Sequence, residues 1–373
     1  MTRSRLNAIS HAGLWLPGVL WLVLAGRAGA ADGLDWIGIS DDHRGFVRQG
    51  SGRAFLPWGF NYDHDETGRL LEDYWVAEWP KVEQDFQEMR ALGANVVRIH
   101  LQLGRFMKRA DEADDDALRQ LSRLLALAEK LRLYLDLTGL GCYHKPDVPA
   151  WYDALGEAER WAVQARFWEA VATCCASSPA VFCYDLMNEP VVPGGQGKDW
   201  LGPAFGGKYF VQFITRDQRE RPRPEIAVAW IRQLKTAIRK HDARHLTTVG
   251  LVPWSLDVPG LSSGFVPEKI APDLDFICVH IYPTSGKLAA DIATLRGFAV
   301  GKPVLVEETF PLSCTAAELE QFMDDRSNPA AGWVGFYWGK TVDDYRDSKE
   351  LADALVLSWL ELFKKKAPRQ PAN

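Results

Sequence analysis

The chain has 373 residues, of which 47% are hydrophobic and 25% charged, a balance that supports a large buried core and excludes a disordered or fibrous protein. Its 43 Lys and Arg against 49 Asp and Glu leave a formal net charge of -6, too mild to suggest a surface for nucleic acid or any other polyanion. Fifteen Trp is a high count, and flat apolar rings suit the C–H faces of sugars as well as they fill a core.

The first thirty residues read as an export signal rather than as part of a fold. Arg3 and Arg5 give a positive start, Leu14 to Ala25 is nearly all apolar, and Ala28-Gly29-Ala30 supplies small residues for a cut before Ala31. Pro17 interrupts the apolar run, which is shorter than the roughly 20 residues a membrane span needs. The expected organisation is therefore a signal peptide, 1–30, followed by one catalytic domain, 31–373, in a protein that is secreted or periplasmic and not held in a membrane. Export would put the six cysteines in an oxidising space. Cys183 and Cys278 lie in apolar runs and read as buried thiols; Cys142, Cys314 and the adjacent Cys174 and Cys175 leave room for one or two bridges. No spacing among them is that of a zinc site, and no metal or cofactor is expected.

From residue 50 onward, short runs rich in β-branched and aromatic residues alternate with longer runs of helical period, the signature of repeated β-α units. The strand candidates are Phe55 to Tyr62, Ala94 to Leu101, Leu133 to Leu137, Val181 to Met187, Leu246 to Leu251, Phe276 to Ile281, Pro303 to Glu307 and Gly332 to Trp338. Between the first two, Pro80 fits a helix start, Val82, Phe86, Met89 and Leu92 form one stripe, and Gly93 ends it. Leu118, Leu121, Leu125, Ala128 and Leu131 form the next stripe, and Leu351, Leu355 and Leu362 mark a last helix from Ser348 to Lys365. Eight strand–helix units, with no GxGxxG after the first strand, predict an α/β protein built as a single (β/α)8 barrel. One connection, Val191 to Pro224, is out of proportion, rich in Gly and Pro and ending in Arg216, Arg219, Arg221 and Arg223. Because it leaves the carboxyl end of a strand, it is expected to form part of a substrate cleft.

Two carboxyl groups sit where such a barrel carries its chemistry. Glu189 ends strand four before Pro190, and Glu308 ends strand seven. Paired carboxylates about 5 Å apart can break a glycosidic bond through a covalent intermediate. Tyr184-Asp185-Leu186-Met187-Asn188-Glu189-Pro190 resembles the Asn-Glu-Pro signature of family 5 glycoside hydrolases, the cellulase-like retaining enzymes and their clan. Gly93-Ala94-Asn95-Val96-Val97-Arg98-Ile99 is similar to the family's second-strand motif, His280-Ile281-Tyr282 to its His-x-Tyr, and Trp338 to its strand-eight tryptophan.

The resemblance covers essentially the whole chain after the signal and implies a retaining β-glycosidase or endo-β-glycanase, acting alone on gluco- or manno-configured sugars. It assigns Glu308 as nucleophile, in preference to the adjacent Glu307, and Glu189 as acid/base. Asn188 would meet the sugar 2-hydroxyl, while Arg98 and Tyr282 would hold Glu308 ionised. Glu189 would start protonated, kept so by the negative charge of Glu308. His280 gains a site role from the same set. Trp254, after strand five, is a candidate sugar platform, and His100, Tyr143 and His144 lie beside the expected cleft.

The run Leu135-Asp136-Leu137-Thr138-Gly139 departs from the family, in which a His commonly stands in the place of Thr138; His144 is a candidate replacement. Two rivals stay open: an exo-acting clan member of the β-galactosidase or β-mannosidase kind, favoured by a cleft closed at one end by the 191–224 loop, and a carbohydrate-binding barrel without catalysis. The export reading predicts that intact mass of the exported protein starts near Ala31; a mature chain retaining Leu14 to Leu24 would contradict it.

Overall fold

The computed structural model describes residues 33–256 and 261–368. The export segment lies outside the described residues. No described helix is long and apolar enough to cross a membrane.

Eight parallel strands close into a barrel: β1 (Trp58–Tyr62), β2 (Val96–Gln102), β3 (Tyr134–Gly141), β4 (Val181–Asn188), β5 (Leu246–Leu251), β6 (Ile277–His280), β7 (Val304–Glu308) and β8 (Ala330–Phe336). The ring closes where Trp333 of β8 pairs with Trp58 of β1. Helices α1 (Trp79–Ala91), α2 (Asp115–Leu131), α3 (Glu157–Cys175), α4 (Arg223–Arg239), α5 (Leu288–Gly297), α6 (Ala316–Asp324) and α7 (Leu351–Lys366) wrap the outside. The barrel expectation is met strand for strand, because each apolar run is covered on both faces.

Three differences have local causes. The first strand was expected from Phe55, but Pro57 has no amide hydrogen for a ladder, so the chain breaks there and Trp58 begins the barrel. Strand eight ends at Phe336, which leaves Trp338 beyond it on the loop face. In α7 the expected stripe is met only at Leu362: Leu351 and Leu355 are exposed, while Trp359, Leu360 and Phe363 join Leu362 in the core. The barrel decides this, since Gly335 leaves a slot whose missing β-carbon would lie 1.7 Å from the Trp359 ring, so the helix turns its indole inward. The cysteines form no bridge; all six are free thiols, and Cys183 and Cys278 are buried as expected.

The foot of the barrel is plugged. A three-stranded antiparallel sheet, Ile37–Ile39, Phe46–Arg48 and Ala54–Phe55, packs beneath the strand starts. Phe46 meets Phe182 and Phe276 edge-on at 5.2 and 5.1 Å, and Phe55 meets Tyr134 at 5.0 Å. Together with Val96, Leu246, Leu305 and Val334 these rings form a core separate from the main one outside the strands. Phe46→Ala leaves a cavity there, far from the mouth. It should cost about 3–5 kcal/mol in denaturant unfolding while leaving activity at low temperature unchanged.

Candidate active site

At the opposite end, the strands deliver their last residues to a cleft of about 380 Å³. Its walls include Asn188, Glu189, Tyr282, Glu308 and Trp338, as the sequence predicts, and also Asp63, His64 and Phe310. Glu189 stands at the end of β4 with φ +45, a left-handed conformation that costs a non-glycine residue energy. Its amide donates to Gly250 O at 3.0 Å. The following Pro190–Val191 pairs with Gln212–Phe213, so the turn that presents the carboxylate is held on both sides.

The adjacent Glu307 and Glu308 would point to opposite faces of an ordinary strand. Instead the pairing of β6 with β7 slips: Val279 faces Val306, but His280 faces Glu308, and Glu307 is the extra residue of a bulge. Both glutamates can then converge on Arg98. Glu308 Oε1 accepts from Arg98 Nη1 at 2.7 Å and Oε2 from the Tyr282 hydroxyl at 2.5 Å, and the side chain reaches the cleft. Glu307 is wholly buried beneath it, with Oε2 3.1 Å from His280 Nε2 and 3.4 Å from Arg98 Nη2.

Arg98 is itself fully buried. Its other bonds run to Asn61 at 2.9 Å, Thr138 at 2.7 Å, Asp185 at 2.8 Å and Asn188 at 2.9 Å. Thr138 thus works below the cleft, where it also donates to Asp185 at 2.8 Å, and does not contact the sugar space. Burial opposes the charge on Arg98, yet Glu307, Asp185 and Glu308 keep it firmly protonated. Burial likewise opposes ionisation of Glu307, but Arg98 and His280 prevail and hold it below the usual carboxylate range. Asp136, pushed far up by burial and by the charge of Glu307, stays neutral.

His280 bridges the carboxylates. Its Nδ1 is 2.9 Å from Glu189 Oε1 and 3.5 Å from Glu308 Oε1. Burial alone would favour the neutral ring, but Glu308, Glu189 and Glu307 outweigh it and push its pKa up to about 10. The close carboxyl pair expected from the sequence therefore has a cation in its midst, which the sequence reading did not foresee. One ligand-type atom from each of Glu189, His280 and Glu308 lies within 4.8 Å of the others, a spacing that could in principle surround a metal ion. A protonated imidazole has no lone pair to give, so the donor set does not suit one.

Aromatic rings line the other side. Trp338 stacks between His64, at 5.9 Å and 9°, and Phe336, at 5.4 Å and 25°, with its Nε1 buried and unpaired. His100 borders the cleft, held by Tyr143 Oη at 2.6 Å, and burial and Arg98 keep it neutral.

Two sequence candidates fall elsewhere. Trp254 is half-buried in a turn after β5 and does not line the cleft. His144 faces a separate small hollow, 3.4 Å from Asp147, so it does not replace the missing histidine. The large loop enters only in part: Pro203, Phe205, Gly206, Lys208, Phe210 and Val211 form one wall. Its arginine-rich end is tied down outside, with Arg221 clamped on Glu157 at 2.7 and 2.8 Å. Asp63 and Lys208 escaped the sequence reading. Asp63 could have been found, since it directly follows β1, whereas nothing local marks Lys208.

Comparison with known proteins agrees with this arrangement. The family model described as cellulase, glycosyl hydrolase family 5, matches residues 59–328. Mannan endo-1,4-β-mannosidase A of Aspergillus aculeatus is 25% identical over 271 residues, 61% of this chain and 63% of that protein. The enzyme of the same name from Emericella nidulans is 24% identical over 306 residues, covering 72% and 71%. The chain thus spans less than two thirds of the first of these relatives. Among solved structures, the exo-β-1,4-mannosidase Op5Man5 from Opitutaceae bacterium strain TAV5 superposes with TM-score 0.61 at 17% identity, over 80% of this chain and 54% of that one. The endo-1,4-β-mannanase of Rhizomucor miehei gives 0.60 at 17% identity, over 89% of this chain and 100% of that one. With its barrel closed, its carboxylates at the ends of β4 and β7 and the model matching most of its length, the chain belongs to glycosyl hydrolase family 5.

Proposed function

We propose that this protein is a retaining β-glycosidase that cleaves β-1,4-linked mannose polymers or oligosaccharides, exported and acting as a monomer, with Glu308 as nucleophile and Glu189 as acid/base. The observation that carries the reading is the carboxylate pair: an oxygen of Glu189 lies within 4.8 Å of one of Glu308, a close approach that accords with a double displacement rather than with the wider gap of an inverting enzyme. The sugar follows from the mannan-degrading names of the relatives, and export from the pattern at residues 1–30.

In the first step Glu308 attacks the anomeric carbon as the glycosidic C–O bond breaks, and the leaving oxygen takes the proton of Glu189. In the second, water adds to that carbon, its proton returns to Glu189, and Glu308 departs as a free carboxylate. Two inversions restore the β configuration. Arg98 and Tyr282 aim Glu308 and must release part of their hold as its charge is consumed. Asn188, held by Arg98 and donating to Phe210 O at 3.1 Å, lines the cleft and is the residue we assign to the sugar 2-hydroxyl. Trp338 lines the cleft and gives the sugar an apolar wall.

Activity on a panel of aryl β-glycosides and polysaccharides tests the reading at its base. Glu308→Ala should abolish both steps. Glu189→Ala should still react with substrates whose leaving group needs no proton, accumulate the glycosyl-enzyme and be rescued by azide as a β-glycosyl azide. Mass spectrometry after trapping with a 2-fluoro sugar should find the label on Glu308; label on Glu307 or an α-configured first product would overturn the assignment.

Glu307→Gln should cost far less than either change. Because it removes one of the negative charges that hold His280 protonated up to about pH 10, the alkaline limb of the pH–rate profile should move to lower pH. An unmoved limb would show that His280 does not govern it.

A further inference from the structure

The loop between β4 and α4 does more than border the cleft. From Val192 it runs out, then returns as a tight hairpin in which Phe205 and Lys208 exchange backbone bonds of 2.8 and 3.0 Å around Gly206 and Gly207, both at positive φ. The returning limb is pinned across the barrel mouth. Tyr209 N donates to Tyr143 O at 3.0 Å, just beyond β3, and Gln212 Nε2 donates to Leu140 O at 3.0 Å, near the end of that strand. The hairpin extends further still, because a β-carbon on Gly68, in the loop after β1, would stand 3.2 Å from Lys208 Nζ. A segment that begins at Glu189 therefore ends against the loops of β1.

That far side belongs to the sugar whose anomeric carbon is attacked. Asp63 is close enough to Glu308 for the two charges to affect each other, and His64 stacks on Trp338. Lys208 and Asp63 both line the cleft although 8% and 6% exposed. Lys208 Nζ makes no hydrogen bond or ion pair among the described residues, and Asp63 Oδ1 is buried without a partner. Asp63 Oδ2 has His64 Nε2 at 3.7 Å, and the charge of Lys208 acts on it without a direct contact. Charged groups are not left so without a cost, and here they face space that a ligand can fill. One cation and one carboxylate suit neutral hydroxyls, which both donate and accept, better than a uronic acid, whose charge Asp63 and Glu308 would repel.

We infer that the 203–211 segment and the loop after β1 close the cleft one sugar beyond the point of cleavage, where Lys208 and Asp63 grip the hydroxyls of a terminal, non-reducing sugar, so that the enzyme removes single sugars from chain ends. This rests on the glycosidase reading above and deepens it. A polymer passing through the cleft in both directions would need the space that Lys208 and Asp63 occupy.

The test uses β-1,4-linked hexasaccharides of mannose and of glucose, each tagged at the reducing end, together with an aryl β-mannoside and an aryl β-glucoside. The wild-type enzyme should release free monosaccharide first and leave tagged chains shortened one unit at a time. Early tagged di- and trisaccharides, without monosaccharide, would overturn the wall. Lys208→Met and Asp63→Asn should each raise KM for the aryl glycoside about tenfold or more, the loss expected for a hydrogen bond to a charged group, with kcat changed less. Excision of 204–207 should allow internal cleavage. If variants with unchanged thermal unfolding keep the wild-type KM, the two groups do not hold the sugar and the inference fails. No hydrolysis of any of these substrates by the wild-type enzyme would sink the glycosidase reading itself, and the inference with it. Cleavage of the glucose series alone would correct the sugar and leave the wall standing.

Discussion

A single buried guanidinium organises the mouth of this barrel. Arg98 has five N–H donors, and all five are used: one on Thr138, two shared between Asn61 and Glu308, two between Asp185 and Asn188. The partners come from β1, β2's neighbour β3, β4 and β7, so one planar group sets the relative positions of strand ends that are far apart in sequence. Taking such a cation out of water is expensive, and only the surrounding carboxylates make it tolerable. A lysine would offer three donors and no plane, and could not satisfy the same set. The space is correspondingly tight. On Gly250 a β-carbon would lie 2.9 Å from His280 Nε2, 3.0 Å from Glu307 Oε2 and 3.2 Å from Arg98 Nη2, so no other residue fits at this point of β5.

The cluster has its own division of charge. Arg98 and the His280 ring are positive; Glu307 and Asp185 lie beneath them, and Asp136 is neutral. Counter-charges are thus kept below the cleft floor, away from water, and the two glutamates that reach the cleft are oriented in large part by Arg98 and His280, which do not line it. Positional precision in the carboxylate pair is inherited from a polar network in the core rather than from the loops around it.

Much of this was legible from sequence. The apolar runs located the strands because a barrel strand covered on both faces reads as a continuous run, and Pro190 closing strand four and the end of the run from Pro303 pointed to Glu189 and Glu308. What could not be read is anything that departs from period two. The slips at His280 against Glu308, at Gly250 against Asn188 and at Gln102 against Gly141 each insert a residue near the mouth and re-aim the side chains beyond it. Only through the first of these does Glu307 come to lie under Glu308 instead of behind it. Trp254 and His144 were placed in the cleft by their nearness in sequence to strand ends, and the loops carried them away. Lys208 is the converse: a residue deep in a long connection, brought to the first strand by contacts with Tyr143 and Leu140 that no local pattern announces. In α7 helical period alone misplaced Leu351 and Leu355, since the slot at Gly335 selects the largest ring nearby.

The plug at the foot of the barrel bears on how the molecule is made. Residues 37–55 leave the ribosome before any barrel strand, yet the surface they cover is built from Val96, Tyr134, Phe182, Leu246, Phe276, Leu305 and Val334, the last of which is synthesised almost at the end. The segment must wait, with Ile37, Phe46 and Phe55 unsatisfied, until the ring has closed through β8 and β1. Its contacts are among the longest-range in the chain, and such contacts form late and leave apolar groups exposed meanwhile. Nascent chains should therefore pass through a stage in which the barrel is nearly complete but open at its base, and a helper that shields short apolar segments would find its target there.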